Sequence, residues 1–336
     1  MNYIGSKLKL SDFIKTTVYS VVGKDLSDLV FCDIFAGTGI VGRTFKAEVK
    51  KVISNDLEFY SYVLNRNYIG NTTAIQHQDV LIRELNELPP LEGFVYANYC
   101  KGGHGERLYF SDANGRKIDA IRTEIEKLKE EQTIDEDTYF FLLASLLESA
   151  DKVANTASVY GAYLKAIKKT AQKELVLEPA EFLLNEQTNE VYNGDSNEII
   201  KSIAGDILYL DPPYNARQYG ANYHILNTIA EYDDFTPKGK TGLRDYNRSN
   251  YCSKAKVKQE FAQLIKDANF KYIFLSYNNE GLMSVQEVEE IMSQYGEYSL
   301  ASTNYQRFKA DKTESRNHKA DKTEEYLHIL VKNDLK

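Results

Sequence analysis

Hydrophobic residues along the chain gather into short runs separated by longer mixed or polar stretches. Four of these runs, Leu29-Val30-Phe31-Cys32, Lys51-Val52-Ile53-Ser54, Ile207-Leu208-Tyr209-Leu210 and Tyr272-Ile273-Phe274-Leu275, have the length and character of buried strands in a parallel sheet. Helical or loop sequence follows each of them. The alternation predicts an α/β fold, a doubly wound, Rossmann-like sheet that binds ligands at the carboxyl ends of its strands. Two further runs, Leu300 to Phe308 and Tyr326 to Val331, are joined by polar sequence and predict a terminal antiparallel hairpin.

The middle of the chain changes period. Ile118, Ile121, Ile125 and Leu128 recur at helical spacing, and Tyr139 to Val153 forms a second helical stretch behind the cap-like acids Asp135-Glu136-Asp137. A helical insertion is therefore expected over residues 75–190, leaving 1–74 and 191–336 to build the sheet domain. Within the insertion, Lys165 to Lys173 reads as a basic helical stretch, and Cys100 to Gly105 as a glycine-rich loop. The six-residue motif Lys309-Ala310-Asp311-Lys312-Thr313-Glu314 returns as Lys319 to Glu324. Two copies that short suit a solvated hairpin loop, not a solenoid.

Composition narrows the class. At 336 residues and 43% hydrophobic content the chain can bury a sizeable core. No apolar stretch approaches the ~20 residues that span a bilayer, and the polar start predicts a cytoplasmic protein. Cys32, Cys100 and Cys252 are few and scattered, so neither a disulfide framework nor a metal site is expected. The formal net charge of −8 speaks mildly against nucleic acid. Its distribution speaks for it. Between Thr236 and Lys258 stand Lys238, Lys240, Arg244, Arg248, Lys254, Lys256 and Lys258 against one acid, Asp245, with Tyr246 and Tyr251 interleaved. Such a segment suits contacts to a phosphate backbone.

Two motifs carry chemistry. Asp33-Ile34-Phe35-Ala36-Gly37-Thr38-Gly39 follows the first strand, and its glycines let backbone approach a ligand closely. About 20 residues further on, Asn55-Asp56 ends the second strand, where an acid would bind a ribose diol. The second motif, Asp211-Pro212-Pro213-Tyr214, closes the third strand. An exocyclic amine conjugated to its ring is a poor nucleophile, and hydrogen-bond acceptors around it favour a pyramidal, more reactive nitrogen. Asp211 and the Pro212 carbonyl are such acceptors, the prolines stiffen the backbone, and Tyr214 offers a face on which an extruded base stacks.

With these motifs in this order, the chain resembles the adenine-specific DNA methyltransferases of restriction-modification systems, in the FokI-type group whose glycine motif precedes the recognition insert. Tyr3-Ile4-Gly5-Ser6-Lys7, Asn55-Asp56-Leu57, Asn193-Gly194-Asp195 and Tyr214 to Tyr219 with Asn222-Tyr223-His224 are similar to further family motifs. The resemblance implies S-adenosylmethionine as cofactor, without a metal. It implies that Tyr3 and Lys7 hold the methionine end, that Asp33, Phe35, Ala36, Gly37, Thr38, Gly39 and Asp211 surround the cofactor, that Asp56 and Leu57 bind its ribose, and that Asp195 contacts its adenine. The helical insertion would carry target recognition, with Arg107, Arg116 and Lys168 as candidates. DNA contacts are expected from Arg217, Tyr219, Lys238, Lys240, Arg244, Arg248, Lys254 and Tyr277, the last lining the base pocket. Double-stranded DNA is the implied partner, beside a cognate restriction endonuclease acting separately, with the enzyme associated with the nucleoid. Two alternatives stay open: methylation of the N4 amine of cytosine, and a catalytically silent specificity subunit.

Overall fold

The computed structural model describes residues 7–306 and 322–333. Tyr3, Phe308 and the first copy of the six-residue repeat lie outside them. The chain divides into two compact units. The first comprises residues 7–65, 185–218, 247–306 and 322–333 and is built on a seven-stranded sheet. Its strands are β1 (Val30–Asp33), β2 (Lys51–Asp56), β3 (Glu190–Asn193), β4 (Ala204–Leu210), β5 (Asn269–Asn278), β6 (Gly296–Gln306) and β7 (Lys322–Lys332), in the order β3-β2-β1-β4-β5-β7-β6.

β1 to β5 are parallel, and β7 runs antiparallel to both β5 and β6, so the terminal hairpin is as expected. All four predicted parallel strands form. β3 was not foreseen, because Glu190-Val191-Tyr192-Asn193 is a half-buried edge strand without an apolar run. Alternate side chains of β1 take opposite faces. Cys32 joins the cluster formed with the helix Val257–Asp267, whereas Phe31 stacks on Phe45 of the helix Ile40–Phe45, ring centroids 4.4 Å apart. Helices thus cover both faces, which explains why these strands are apolar throughout. Strand order reverses between β1 and β4, the switch point at which doubly wound sheets open a ligand crevice.

The second unit comprises residues 66–184 and 219–246: it begins before the expected insertion, ends short of 185–190, which belong to the sheet unit where Glu190 starts β3, and takes in the segment after the Asp-Pro-Pro-Tyr motif. Its long helices are Asp112–Glu130 and Glu136–Lys152. Ile118, Ile121 and Ile125 are buried, and Asp135 caps the second helix by accepting the Thr138 N–H at 2.8 Å. The unit is not helical throughout. Lys165 to Lys173 is irregular apart from a 3-10 turn at Thr170–Gln172. Asn155 supplies the reason, since its amide donates to the Ala166 carbonyl at 3.0 Å and accepts the Lys168 N–H at 3.0 Å, replacing helical hydrogen bonds. Among the described residues no helix is long and apolar enough to cross a membrane.

Asp119 ties this unit together from the inside. It is fully buried and accepts the N–H groups of Gly93, Val95 and Tyr96 and the hydroxyl of Tyr232. Replacing Asp119 with Ala strands several buried donors at once, and the expected cost is about 3 kcal/mol or more. Urea denaturation of the variant checks this, and a loss under about 1 kcal/mol contradicts it.

Candidate active site

The crevice at the carboxyl ends of β1, β2 and β4 is built by short-range backbone constraints. After Asp33 the chain turns through Phe35 to Gly39, where the Ala36 N–H donates to the Asn55 carbonyl and the Gly39 N–H to the Ala36 carbonyl, at 2.9 and 2.8 Å. Gly39 has φ of +75°, and a Cβ there would lie 2.7 Å from Asn65 Oδ1. No other residue fits. Asn65 earns that position by donating to the Gly37 carbonyl at 3.0 Å while accepting the Ser54 hydroxyl at 2.7 Å. Asn65 therefore shapes the glycine loop, and no sequence pattern marks it.

Asp56, at the end of β2, accepts the Gly37 N–H on one oxygen and the Glu58 N–H on the other, at 2.8 and 2.9 Å. Burial pushes Asp56 from its ordinary 3.8 up to about 6, against the opposing pull of those N–H groups. Asp33 is almost wholly buried, its Oδ1 accepts no hydrogen bond, and burial, with Asp211 and Asp56 nearby, holds it well above the usual carboxylate range. Asp195 is exposed and caps the short helix Ser196–Ile199 by accepting the Asn197 N–H at 2.8 Å. Asn197 in turn accepts the Tyr251 hydroxyl, and Tyr251 meets the Phe35 ring edge-on at 5.0 Å. Phe35 thus has a fixed aromatic backing.

Asp211 follows directly on β4. The Lys7 ammonium lies 3.2 Å from Asp211 Oδ1 and 3.9 Å from Glu325 Oε2. Burial alone would lower the Lys7 pKa, but Asp211 and then Glu325 raise it, so Lys7 is a firm cation. Asp211 moves from 3.8 to about 6 because burial and Glu325 outweigh the attraction of Lys7. Glu325 was not foreseen. It reaches the site because β7 is antiparallel, which brings the start of that strand beside Asn278 at the carboxyl end of β5.

Tyr214 packs partly buried against the cluster containing Tyr277, and its carbonyl accepts the Leu282 N–H at 3.2 Å. The loop is thereby held from behind. Tyr277 corrects an expectation: it is 2% exposed, its hydroxyl accepts the Leu282 N–H at 3.1 Å, and a Cβ on Gly281 would strike its ring at 2.1 Å. It supports the loop and has no free face for a base. Tyr251, read as part of a basic loop, is likewise buried.

The expected DNA contacts divide. Arg217, Lys254 and Arg248 are exposed in the sheet unit, where the Arg217 N–H closes a turn onto Asn215 Oδ1. In the second unit Lys240 is exposed, with its ammonium 5.0 Å from the Tyr163 ring, Lys238 pairs with Asp245 at 2.7 Å, and Tyr219 stacks on Tyr223. Arg244 does not suit the role. It is 8% exposed and its guanidinium is taken by Glu231 and by Asp233, the latter at 2.9 Å. Arg107 is also committed, donating to the Asn98 and Gly239 carbonyls at 2.9 and 3.0 Å, and Arg116 pairs with Glu92 at 2.9 Å. His224, in the helix expected after the catalytic loop, is buried with both ring nitrogens on the Ala221 and Thr241 carbonyls.

The model for D12 class N6 adenine-specific DNA methyltransferases matches residues 3–291. Type II methyltransferase M.NlaIII of Neisseria lactamica is 66% identical over 332 residues, which cover 99% of each chain. Type II methyltransferase M.CviAII of Paramecium bursaria Chlorella virus 1 is 41% identical over 92% of this chain and 93% of its own. Type II methyltransferase M.FokI of Planomicrobium okeanokoites is 38% identical over 92% of this chain and 50% of its own length.

The raised acids have a measurable consequence. A carboxyl whose pKa is higher folded than unfolded binds its proton more tightly in the folded state, so stability falls as pH rises between the two values. For Asp56 and Asp211 that window runs from 3.8 to about 6. Melting temperatures of the ligand-free protein across it should fall less steeply in Asp56→Asn than in wild type. Equal slopes would contradict the burial of this acid.

Proposed function

The chain belongs to the D12 class of N6 adenine-specific DNA methyltransferases, and we propose that Asp211 and the Pro212 carbonyl orient the adenine amine for transfer while Tyr214 stacks the flipped base. The observation that carries this reading is the placement of Asp211, half-buried just after β4 with Oδ1 engaged by Lys7, which leaves Oδ2 for the amine. Drawing the N–H hydrogens toward fixed acceptors disfavours conjugation with the ring and exposes the nitrogen lone pair. Pro212 and Pro213 hold the backbone so that the carbonyl keeps its aim.

The residues fit S-adenosylmethionine, whose sulfonium makes its methyl group electrophilic. Asp33 and Glu325 are buried and Asp56 and Asp211 half-buried, with Lys7 paired to Asp211 and Glu325 alone, and Asp33 Oδ1 and Glu325 Oε2 accept no hydrogen bond. A cationic ligand relieves that imbalance. Asp33 and the turn from Phe35 through Ala36 and Thr38 to Gly39 would hold it, Asp56 and Leu57 its ribose, and Asp195 with Phe35 its adenine. Lys7, which would hold the methionine end, also pairs with Asp211. Water is kept out by burial, and transfer needs no covalent attachment to the enzyme.

The second unit, which holds residues 75–184 of the expected insertion, would read the target sequence, and Arg217, Lys240, Arg248 and Lys254 would contact phosphates. We assign the enzyme the modification half of a type II restriction-modification pair, acting in the cytoplasm on double-stranded DNA beside a separate cognate endonuclease.

Replacing Asp211 with Ala should lower methyl transfer from labelled cofactor to duplex DNA, at saturating cofactor, by about a hundredfold or more. Wild-type turnover in that variant overturns the mechanism. Affinity for duplex DNA should also fall steeply as salt rises, despite the acidic total charge, because phosphate contacts release counterions. A flat response contradicts the basic contacts.

A further inference from the structure

Methyl transfer forms an N–C bond and breaks a C–S bond whose electron pair stays on sulfur, so the amine must shed one proton. A carboxylate locked into a one-to-one ion pair is a weak acceptor for it. In this site the pair is not one-to-one. Lys7 stands between Asp211 at 3.2 Å and Glu325 at 3.9 Å, and Glu325 Oε2 is buried without a hydrogen bond. We propose that Glu325 is a positioning residue for the reaction: by sharing the Lys7 ammonium it leaves Asp211 with uncompensated negative charge, and so able to take the proton that the methylated amine releases. Glu325 lies outside the stretch that matches the family, which ends at residue 291.

The charges around Asp211 agree with this. Lys7 faces it from the first turn of the chain, Asp33 from β1, Tyr209 from β4, Tyr214 from the catalytic loop and Glu325 from β7. Lys7 is the one cation among them, set against the carboxylates of Asp33 and Glu325. Burial and Glu325 raise Asp211 while Lys7 opposes them, so neutralising Glu325 returns the full field of Lys7 to Asp211. From Asp211 the proton passes to solvent when the product leaves.

The inference rests on the proposed role of Asp211, and its test separates the two. Single-turnover methylation of duplex DNA at saturating cofactor is followed against pH for wild type, Glu325→Gln, Glu325→Asp and Asp211→Asn, with circular dichroism and cofactor affinity measured on each. In Glu325→Gln the acid limb should move down by about one pH unit and the plateau rate should fall about three- to tenfold, as Brønsted behaviour requires of a weaker base. Glu325→Asp keeps the charge but withdraws it from Lys7 by one methylene, and should shift the limb by less. A folded Glu325→Gln enzyme with an unmoved acid limb overturns the proposal, even if its rate is lower, because a merely structural glutamate would act that way. Should Glu325→Gln not fold, the limb of Glu325→Asp decides in the same terms. Asp211→Asn retaining wild-type rate would instead sink the reading of Asp211 itself.

Discussion

The active site depends on an electrostatic debt: carboxylates outnumber ammonium groups where solvent is scarce. Asp33 and Glu325 are buried and Asp56 and Asp211 half-buried at the carboxyl edge of the sheet, and among the described residues Lys7 pairs with Asp211 and Glu325. Charges that far from solvent are costly unless compensated, and acids respond by binding protons more tightly. On the proposed reading a cation completes the site. A sulfonium cofactor would supply that charge, and as transfer moves the positive charge from sulfur to the amine nitrogen, Asp211 would stand beside the nitrogen that receives it.

The fold makes this concentration of charge possible by topology. The reversal of strand order between β1 and β4 opens the crevice, and the parallel strands deliver Asp33, Asp56 and Asp211 to one edge because each follows or ends its strand there. β7 contributes in the opposite sense. Being antiparallel, it brings its beginning to that edge, and with it Glu325. Covering helices on both faces pay for the strain of the crevice only indirectly, by holding the strands in register against a close-packed core.

Much of this was legible in the sequence. Apolar runs identified four parallel strands and the terminal hairpin, since a sheet covered on both faces demands them, and the glycine turn and Asp-Pro-Pro-Tyr motif announced themselves because few residues satisfy their geometry. The comparisons give the N6 amine of adenine as the family's target, over the cytosine and silent-subunit alternatives. Other features depended on distant partners. Glu325, between the polar repeat and the last apolar run, carried no mark of its own until strand direction placed it beside Lys7. Arg244 belonged to a basic run, yet Glu231 and Asp233, upstream in the chain, turn its charge inward. Tyr277 was expected to line the base pocket and Tyr251 to belong to a phosphate-contacting loop, but their rings join the hydrophobic core. Lys165 to Lys173 read as helix because local propensity cannot report that Asn155 claims its backbone.

The electrostatic debt is most directly tested by calorimetric titration of S-adenosylmethionine into the protein in buffers of different ionisation enthalpy. Asp56 and Asp211, both raised to about 6, are partly protonated near pH 6 without ligand and ionise when the sulfonium enters. Binding should then release protons near pH 6, seen as an enthalpy that varies with buffer, and the release should vanish by about pH 8. An enthalpy independent of buffer near pH 6 would contradict the claim that the cofactor's charge completes this site.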